Sequence, residues 1–488
     1  MPPLPGFCAP TYQERSLNFD AQRCVNLYPV PGVQALGEQG SKTASMLVGS
    51  PGLTLFTNVG VSPIRGMLSV GTLLFVASGN QAYSIQTNGI VTAIGTLNTT
   101  SGVVSIIYNN NFEVAFADGV NLYVYNYRTN TFTIIPSANL VGSPTWLSFL
   151  DQYIVAAFAN SQAFQLSGLN AATSWSTLNN GLAESDPDNL LAIWLLNQQL
   201  YMLGEFTTEI WWDAGSTGFL PFARSSGVIN YGIEAINSGT IIANSLAWLG
   251  RNRIGGRQAM LTQGASPTVV STPALETQWG TYSTVADAYS FAYRVGGREN
   301  WVLTFPSAPN GGATFVYDVV TGLWHERASI TTGPAYTITG GQWIAYGHAI
   351  FNGQQMVGDF FTGNIYIIDP TNYTENGNPI IRRRVSPHYW NNLNFLTMNS
   401  LQVDFEGGTG LPSGQGSNPM AKLRWSKDGA HTWGNYHESP IGPIGNYQQR
   451  AIWRTLGISR DWVFDLQISD PIRVAFMDAV AEMELSDV

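Results

Sequence analysis

A chain of 488 residues is long enough for two or three domains, or for one large closed architecture with additions. Charged residues make up only 11%, against about 25% in an ordinary soluble domain, while aromatics at 12% exclude intrinsic disorder. The net charge of −10, from 22 basic and 32 acidic residues, makes the chain a poor gripper of DNA phosphates.

The remaining surface of Asn, Gln, Ser, Thr and Gly suits an all-β protein that buries much of its outside against neighbours. The longest apolar stretch, 146–158, is interrupted by Asp151 and Gln152 and is too short for a bilayer, so no membrane span is expected. The opening residues MPPLPGFCAP carry neither a basic segment nor an apolar core, and they predict no signal peptide. Cys8 and Cys24 could pair; a single pair is no disulfide framework, and reduced buried thiols are the other reading.

In chain order, residues 1–60 read as a loop-rich N-terminal arm or clasp. Within it, Pro51-Gly52 reads as a type II turn, with a fixed φ followed by a positive one. From 61 to 380 the chain alternates short strands with turn residues. A unit recurs: an apolar strand, a polar turn, then a second strand rich in Tyr, Phe and Ile. The paired strands fall at 73–76 and 83–85, 112–115 and 122–125, 153–155 and 163–166, and 200–202 and 209–211. Further pairs fall at 246–248 and 259–261, 301–303 and 315–317, and 356–357 and 365–368; the fifth pair is the weakest. Their spacing is close to the roughly 40–50 residues of a propeller blade. The expected fold is therefore all-β, a β-propeller of six to seven blades, with a string of sandwich hairpins as the other reading. Residues 381–488 change character and predict a separate C-terminal β-domain. It opens on Arg382, Arg383 and Arg384, has a strand at 401–405 and a Gly/Ser/Pro loop at 406–419, and turns at Asp428-Gly429. Its further strands are expected at 452–456, 462–468 and 472–476.

Sites for chemistry are scarce. The sequence has no phosphate-binding loop, no H-E-x-x-H, no C-x-x-C and no G-x-S-x-G. His431 and His437 share a hairpin and could ligate a metal, but a solvated hairpin is the ordinary reading. Glu184, Asp186 and Asp188 alternate in a loop that lacks the turn glycine of a calcium site. No catalytic, cofactor-binding or metal-binding residues are assigned, and no enzyme is expected. The segment Ser426-Lys427-Asp428-Gly429-Ala430-His431-Thr432-Trp433 resembles the Asp-box of sialidases, with Ala430 where that motif has Gly. Such boxes are structural hairpins, and consecutive arginines on a strand face alternate sides, so a sialidase-like glycosidase is only a minor alternative.

The two ends carry a further resemblance. Arg23-Cys24-Val25-Asn26-Leu27-Tyr28-Pro29 is followed by Leu47-Val48-Gly49-Ser50-Pro51-Gly52-Leu53-Thr54-Leu55-Phe56. Later come Glu209-Ile210-Trp211, the small-residue run from Arg224 to Gly232, the Ser426 hairpin and Trp453-Arg454-Thr455-Leu456-Gly457. In this order the motifs resemble the packaged-DNA stabilisation proteins of P22-like podoviruses, also called tail nozzle or hub proteins. The resemblance implies a structural virion protein, made in the host bacterial cytoplasm and placed in the phage tail. It implies a homohexameric ring below the head-to-tail adaptor, with a tail needle or plug below and fibres or spikes beside. DNA would pass through the channel without specific binding. Asn26, Leu27, Tyr28, Pro29, Gly49, Pro51, Gly52 and Leu53 would be structural, fixing how the arm enters the propeller. Arg382, Arg383 and Arg384 are expected at a protein interface, against carboxylates of a neighbour. A glycan-binding tail protein is the alternative function.

Overall fold

The computed structural model describes residues 3–9, 16–32, 45–216, 218–263, 266–333, 336–339, 341–392 and 394–485. Nearly all regular structure in them is β. The one α-helix among them, Pro273–Gly280, starts on a Thr272 cap whose side chain accepts from the Leu275 N–H.

Seven four-stranded antiparallel blades form the propeller. Blade 1 is Ile64–Val70, Leu73–Ser78, Gln81–Gln86 and Val91–Thr96, taken from the centre outwards. Blades 2 to 6 span 105–134, 144–182, 190–229, 232–269 and 289–327. Blade 7 takes Ala345–Phe351, Gln354–Asp359 and Asn364–Asp369 from the end of the propeller and its fourth strand, Gly52–Asn58, from the N-terminal arm. Thr54 pairs with Ile367 and Gly52 with Asp369, so the ring is closed by chain segments more than 300 residues apart in sequence. The seven recurrent sequence units are the two middle strands of each blade. Those strands are covered on both faces by neighbouring blades, so Leu73–Ser78, Glu113–Ala117 and Tyr153–Phe158 are buried almost throughout and read as continuous apolar runs. Blade 5 is present, and its weak signature has a cause: its inner strand is split into Gly232–Ile233 and Thr240–Ile242, both paired with Ser245–Arg251.

The C-terminal domain is a β-sandwich. One sheet joins Leu27–Pro31, Ser45–Gly49, Ala475–Leu485, Leu396–Phe405 and Ala451–Ser459. The other joins Arg23–Val25, Arg382–Val385, Asp461–Ile468, Met420–Ser426 and His437–Pro440. Trp462, Phe464, Leu401 and Phe476 fill the space between, together with Leu4 and Phe7 from the arm. The strand expected at 472–476 begins only at Ala475, because Pro471 has no N–H to give a ladder and Ile472 instead turns back on Asp470.

Arg23–Val25 lies parallel to Leu323–Arg327 of blade 6, with Val25 beside Glu326, and so a ten-stranded sheet runs from the propeller into the sandwich. Among the described residues, the arm is therefore less loop-rich than expected: residues 23–31 and 45–58 supply strands to both sandwich sheets and to blade 7. Cys8 and Cys24 are buried in the sandwich core and form no disulfide, and burial pushes the Cys8 thiol up to about 12.

Gly52 corrects the turn expected there. It is the first residue of an extended strand and has no positive φ. A glycine is needed for a different reason: a Cβ would lie 2.3 Å from the Thr374 carbonyl oxygen and 2.5 Å from that of Asn372.

Candidate functional site

A set of buried polar bonds lies where propeller meets sandwich. Asn26 is at its centre. It sits at φ 56°, a conformation Asn tolerates better than most residues, and is buried. Its side-chain amide donates to the carbonyls of Ala328 and Ile381, at 2.8 and 2.9 Å, and its side-chain oxygen accepts from the Ala328 N–H. Its backbone N–H donates to Glu326 and its carbonyl accepts from Ser50. One residue, through side chain and backbone together, thus ties blade 6, the start of the sandwich and the two arm strands together. Beside it, Arg23 is paired with Glu326, which holds the guanidinium pKa above its ordinary value, and the Arg298 guanidinium lies over the Tyr28 ring.

Arg327 ends blade 6 and is wholly buried. Its guanidinium lies 3.9 Å from the Trp343 ring centre and donates to the Pro51 carbonyl and to Glu375. Burial raises the Glu375 pKa, and the charge of Arg327 opposes that shift. The cost of burying this charge is therefore offset by a carboxylate, a carbonyl and a π-face. Nothing in the sequence marks Arg327, because Leu323-Trp324-His325-Glu326-Arg327 reads as an ordinary strand.

The three consecutive arginines correct an expectation. Arg382 and Arg384 point into the sandwich and have no exposed surface, so neither can meet a neighbouring chain. Strand alternation puts them on the inner face and Arg383 on the outer one. Arg384 donates to the carbonyls of Phe7 and Gly6 and to Gln22, which fastens the arm to the sandwich. Arg382 packs under Gly49, where a Cβ would come within 2.8 Å of its Nε; burial and nearby Arg327 hold its pKa down, at about 10. Arg383 forms a two-point pair with Asp465 of its own chain, at 2.8 and 2.9 Å, and Asp465 also accepts from Arg424 and Tyr436. On that outer face, one cross-strand row runs Glu326, Val25, Arg383, Gln467, Lys422, Glu438. It spans blade 6 and the sandwich without a break.

The propeller axis holds a cavity of about 620 Å³, lined by the inner strands of all seven blades. Its wall is largely apolar, with the Trp146 and Trp194 rings tilted against each other at 5.3 Å. Arg65 reaches the wall but is saturated, donating to the carbonyls of Gly79, Thr99, Ser101 and Gly102. A space of that size suits a small molecule, not a nucleic-acid duplex.

The other candidates are structural in form. In the Ser426–Trp433 segment, Asp428 accepts from Ser426 and from both the N–H and hydroxyl of Thr432, bonds that hold its carboxyl down at about 2. Ala430 takes φ 68° where the Asp-box has glycine. His437 stacks on Trp425 and His431 faces Asn18. Asp186 is paired with Arg253, and Asp188 accepts from the Phe206 and Thr207 amides, so the acidic loop is already used. No group of three or more metal-ligating side chains occurs among the described residues.

Comparison with known families decides the lineage. The family model described as bacteriophage P22 Gp10, beta-propeller, matches residues 9–373, and that of the P22 Gp10 beta-sandwich matches 381–484. The chain belongs to the bacteriophage P22 Gp10 family. It is a structural protein of a phage virion, from the tail nozzle and DNA-stabilisation family. The junction built on Asn26 lies where the two Gp10 matches meet in space, although its residues come from both ends of the propeller match. A search of curated proteins found no match. Solved structures similar to this Gp10-family chain include a streptogramin B lyase, at 11% identity and TM-score 0.41, covering 64% of this chain and 96% of that one. Another is virginiamycin B lyase from Staphylococcus aureus, at 11% identity and TM-score 0.43, covering 64% and 98%. The WD40 propeller domain of Doa1 matches at 10% identity and TM-score 0.41, covering 65% and 95%. Likenesses this distant carry no functional inference for a Gp10-family protein.

Proposed function

We propose that this chain forms the tail nozzle of a short-tailed phage: a homohexameric ring below the head-to-tail adaptor that closes the DNA exit channel and retains packaged DNA until ejection. A tail needle or plug closes the ring below, and fibres or spikes attach beside it. The protein acts as a rigid brick and carries no catalytic role. The observation that carries this reading is the match of both domains to the P22 Gp10 family. Two features of the fold support it. The ten-stranded sheet and the closure of blade 7 by the arm bind the two domains through backbone pairing, as a subunit under internal DNA pressure requires. The axial cavity of one propeller is too small for a duplex, which is consistent with a channel formed between copies in a ring with heterologous contacts. Electron microscopy of the purified protein and of virions tests this. A closed six-fold ring at the adaptor is the expected image; a trimeric fibre, or a protein missing from the tail, refutes the reading.

A further inference from the structure

Residues 16–22 cross the outer face of the sandwich sheet that contains Asp461–Ile468. Leu17 and Ala21 pack on Val385, Val463, Ala430 and Trp433, and so cover an apolar patch on that face. Two histidines of the sandwich reach this strap. His388 Nδ1 lies 2.8 Å from Asp461 Oδ2, and its Nε2 lies 2.7 Å from the Leu17 carbonyl oxygen. A carboxylate and a carbonyl are both acceptors, so the two bonds form together only when both ring nitrogens carry protons, that is, on an imidazolium. His431 Nε2 lies 3.0 Å from the side-chain oxygen of Asn18, one residue further along the strap. The strap fits closely there, since a Cβ on Gly429 would fall 2.3 Å from the same Asn18 oxygen.

We propose that residues 16–22 are a pH-gated latch: the His388 imidazolium fastens the strap to the sandwich, and loss of its proton as the pH rises frees the strap and uncovers the patch beneath. A neutral ring has one N–H, so it must abandon either Asp461 or Leu17 and present a lone pair to the abandoned acceptor. The charged groups facing His388 favour the imidazolium. They are Asp461 on the strand and Asp20 on the strap itself; on the adjoining hairpin His431 bonds Asn18 of the strap, and Asp428 bonds Ser426 and Thr432. The hydrogen bond to Asp461 is the largest influence, and it raises the His388 pKa above the ordinary 6.5, with the Asp461 charge and the Leu17 carbonyl adding to it and partial burial opposing. A raised folded pKa means that the latch is at full strength below 6.5 and is lost as the pH rises through the folded value.

Hydrogen exchange of the full chain, read by mass spectrometry and corrected for intrinsic rates, tests this between about pH 6 and pH 9. The amides of Phe19 and Asp20, which bond to the Ser16 carbonyl, report on the strap; the neighbouring strand Arg23–Val25 is the internal control. Protection of the strap is expected to fall by up to about tenfold per pH unit between 6.5 and the folded pKa and to level off above it, while the control strand holds. His388→Gln should give weak strap protection with no pH dependence, and His431→Gln weaker protection that still titrates. Strap protection that stays flat across the range overturns the proposal, as does a His388→Gln protein that titrates like the parent. Should His388→Gln fail to fold, the ring nitrogen chemical shifts of His388 in the parent decide. Protons on both nitrogens below neutrality support the latch, and a single neutral tautomer there refutes it.

Discussion

At the scale of single residues, Asn26 and Gly52 carry the sharpest predictions. Asn26→Ala keeps the strained φ and leaves the Ala328 N–H and two carbonyls without their partner. The expected loss is about 2–4 kcal/mol, combining unsatisfied buried groups with a left-handed alanine. Asn26→Gly should lose less, because glycine restores the backbone freedom; urea midpoints of the two variants check the order. Gly52→Val would drive a branched side chain into two backbone carbonyls, at a cost of about 1–3 kcal/mol or more, read as a lower urea midpoint and failed ring assembly. The sequence pointed to this glycine through a Pro-Gly turn, whereas the structure requires it for a close backbone approach, which leaves no local signature. The arginines show the same limit. Alternation along Arg382–Val385 was legible, but which face was inside was not. With Arg382 and Arg384 buried, these three arginines cannot together hold a sialic-acid carboxylate, and the purified protein should not turn over sialosides. Activity abolished by Arg383→Ser would contradict that expectation.

At the scale of elements, the middle strands of each blade were readable because blade-on-blade packing makes them apolar on both faces. The inner and outer strands were not, since Val91–Thr96 is half solvated and carries no strong pattern. The last strand of blade 6 supplies a pH dependence. His325, on Leu323–Arg327, is fully buried between Arg327 and Arg298, and burial first, then those two charges, push it down to about 3. It is therefore neutral in the fold, while in the unfolded chain it takes a proton near its ordinary 6.5. Its stabilising effect is complete above 6.5 and is lost as the pH falls from there towards 3, by up to about 1.4 kcal/mol per pH unit. Replacing it by Phe should flatten the acid limb of the stability curve, measured as urea midpoints from neutral pH down to about pH 4.5.

At the scale of the whole molecule, the balance of 22 basic against 32 acidic residues bears on how DNA is treated. Each phosphate neutralised adds salt-dependent affinity, and a channel that grips would slow release. Isolated protein should bind duplex DNA weakly at physiological salt in a band-shift assay; tight binding lost in Arg383→Ser would instead put that guanidinium in the DNA path. The class and the repeated unit came from the sequence alone, because composition and strand periodicity are local properties that burial on two faces imprints directly. What only the tertiary structure decided was how the ends are used. The arm closes blade 7, pairs with blade 6 and enters both sandwich sheets, and Asn26, Arg327 and Arg384 hold that arrangement. Pairings between segments 300 residues apart depend on backbone register and on which face is buried, and neither quantity is written in the neighbourhood of any one residue.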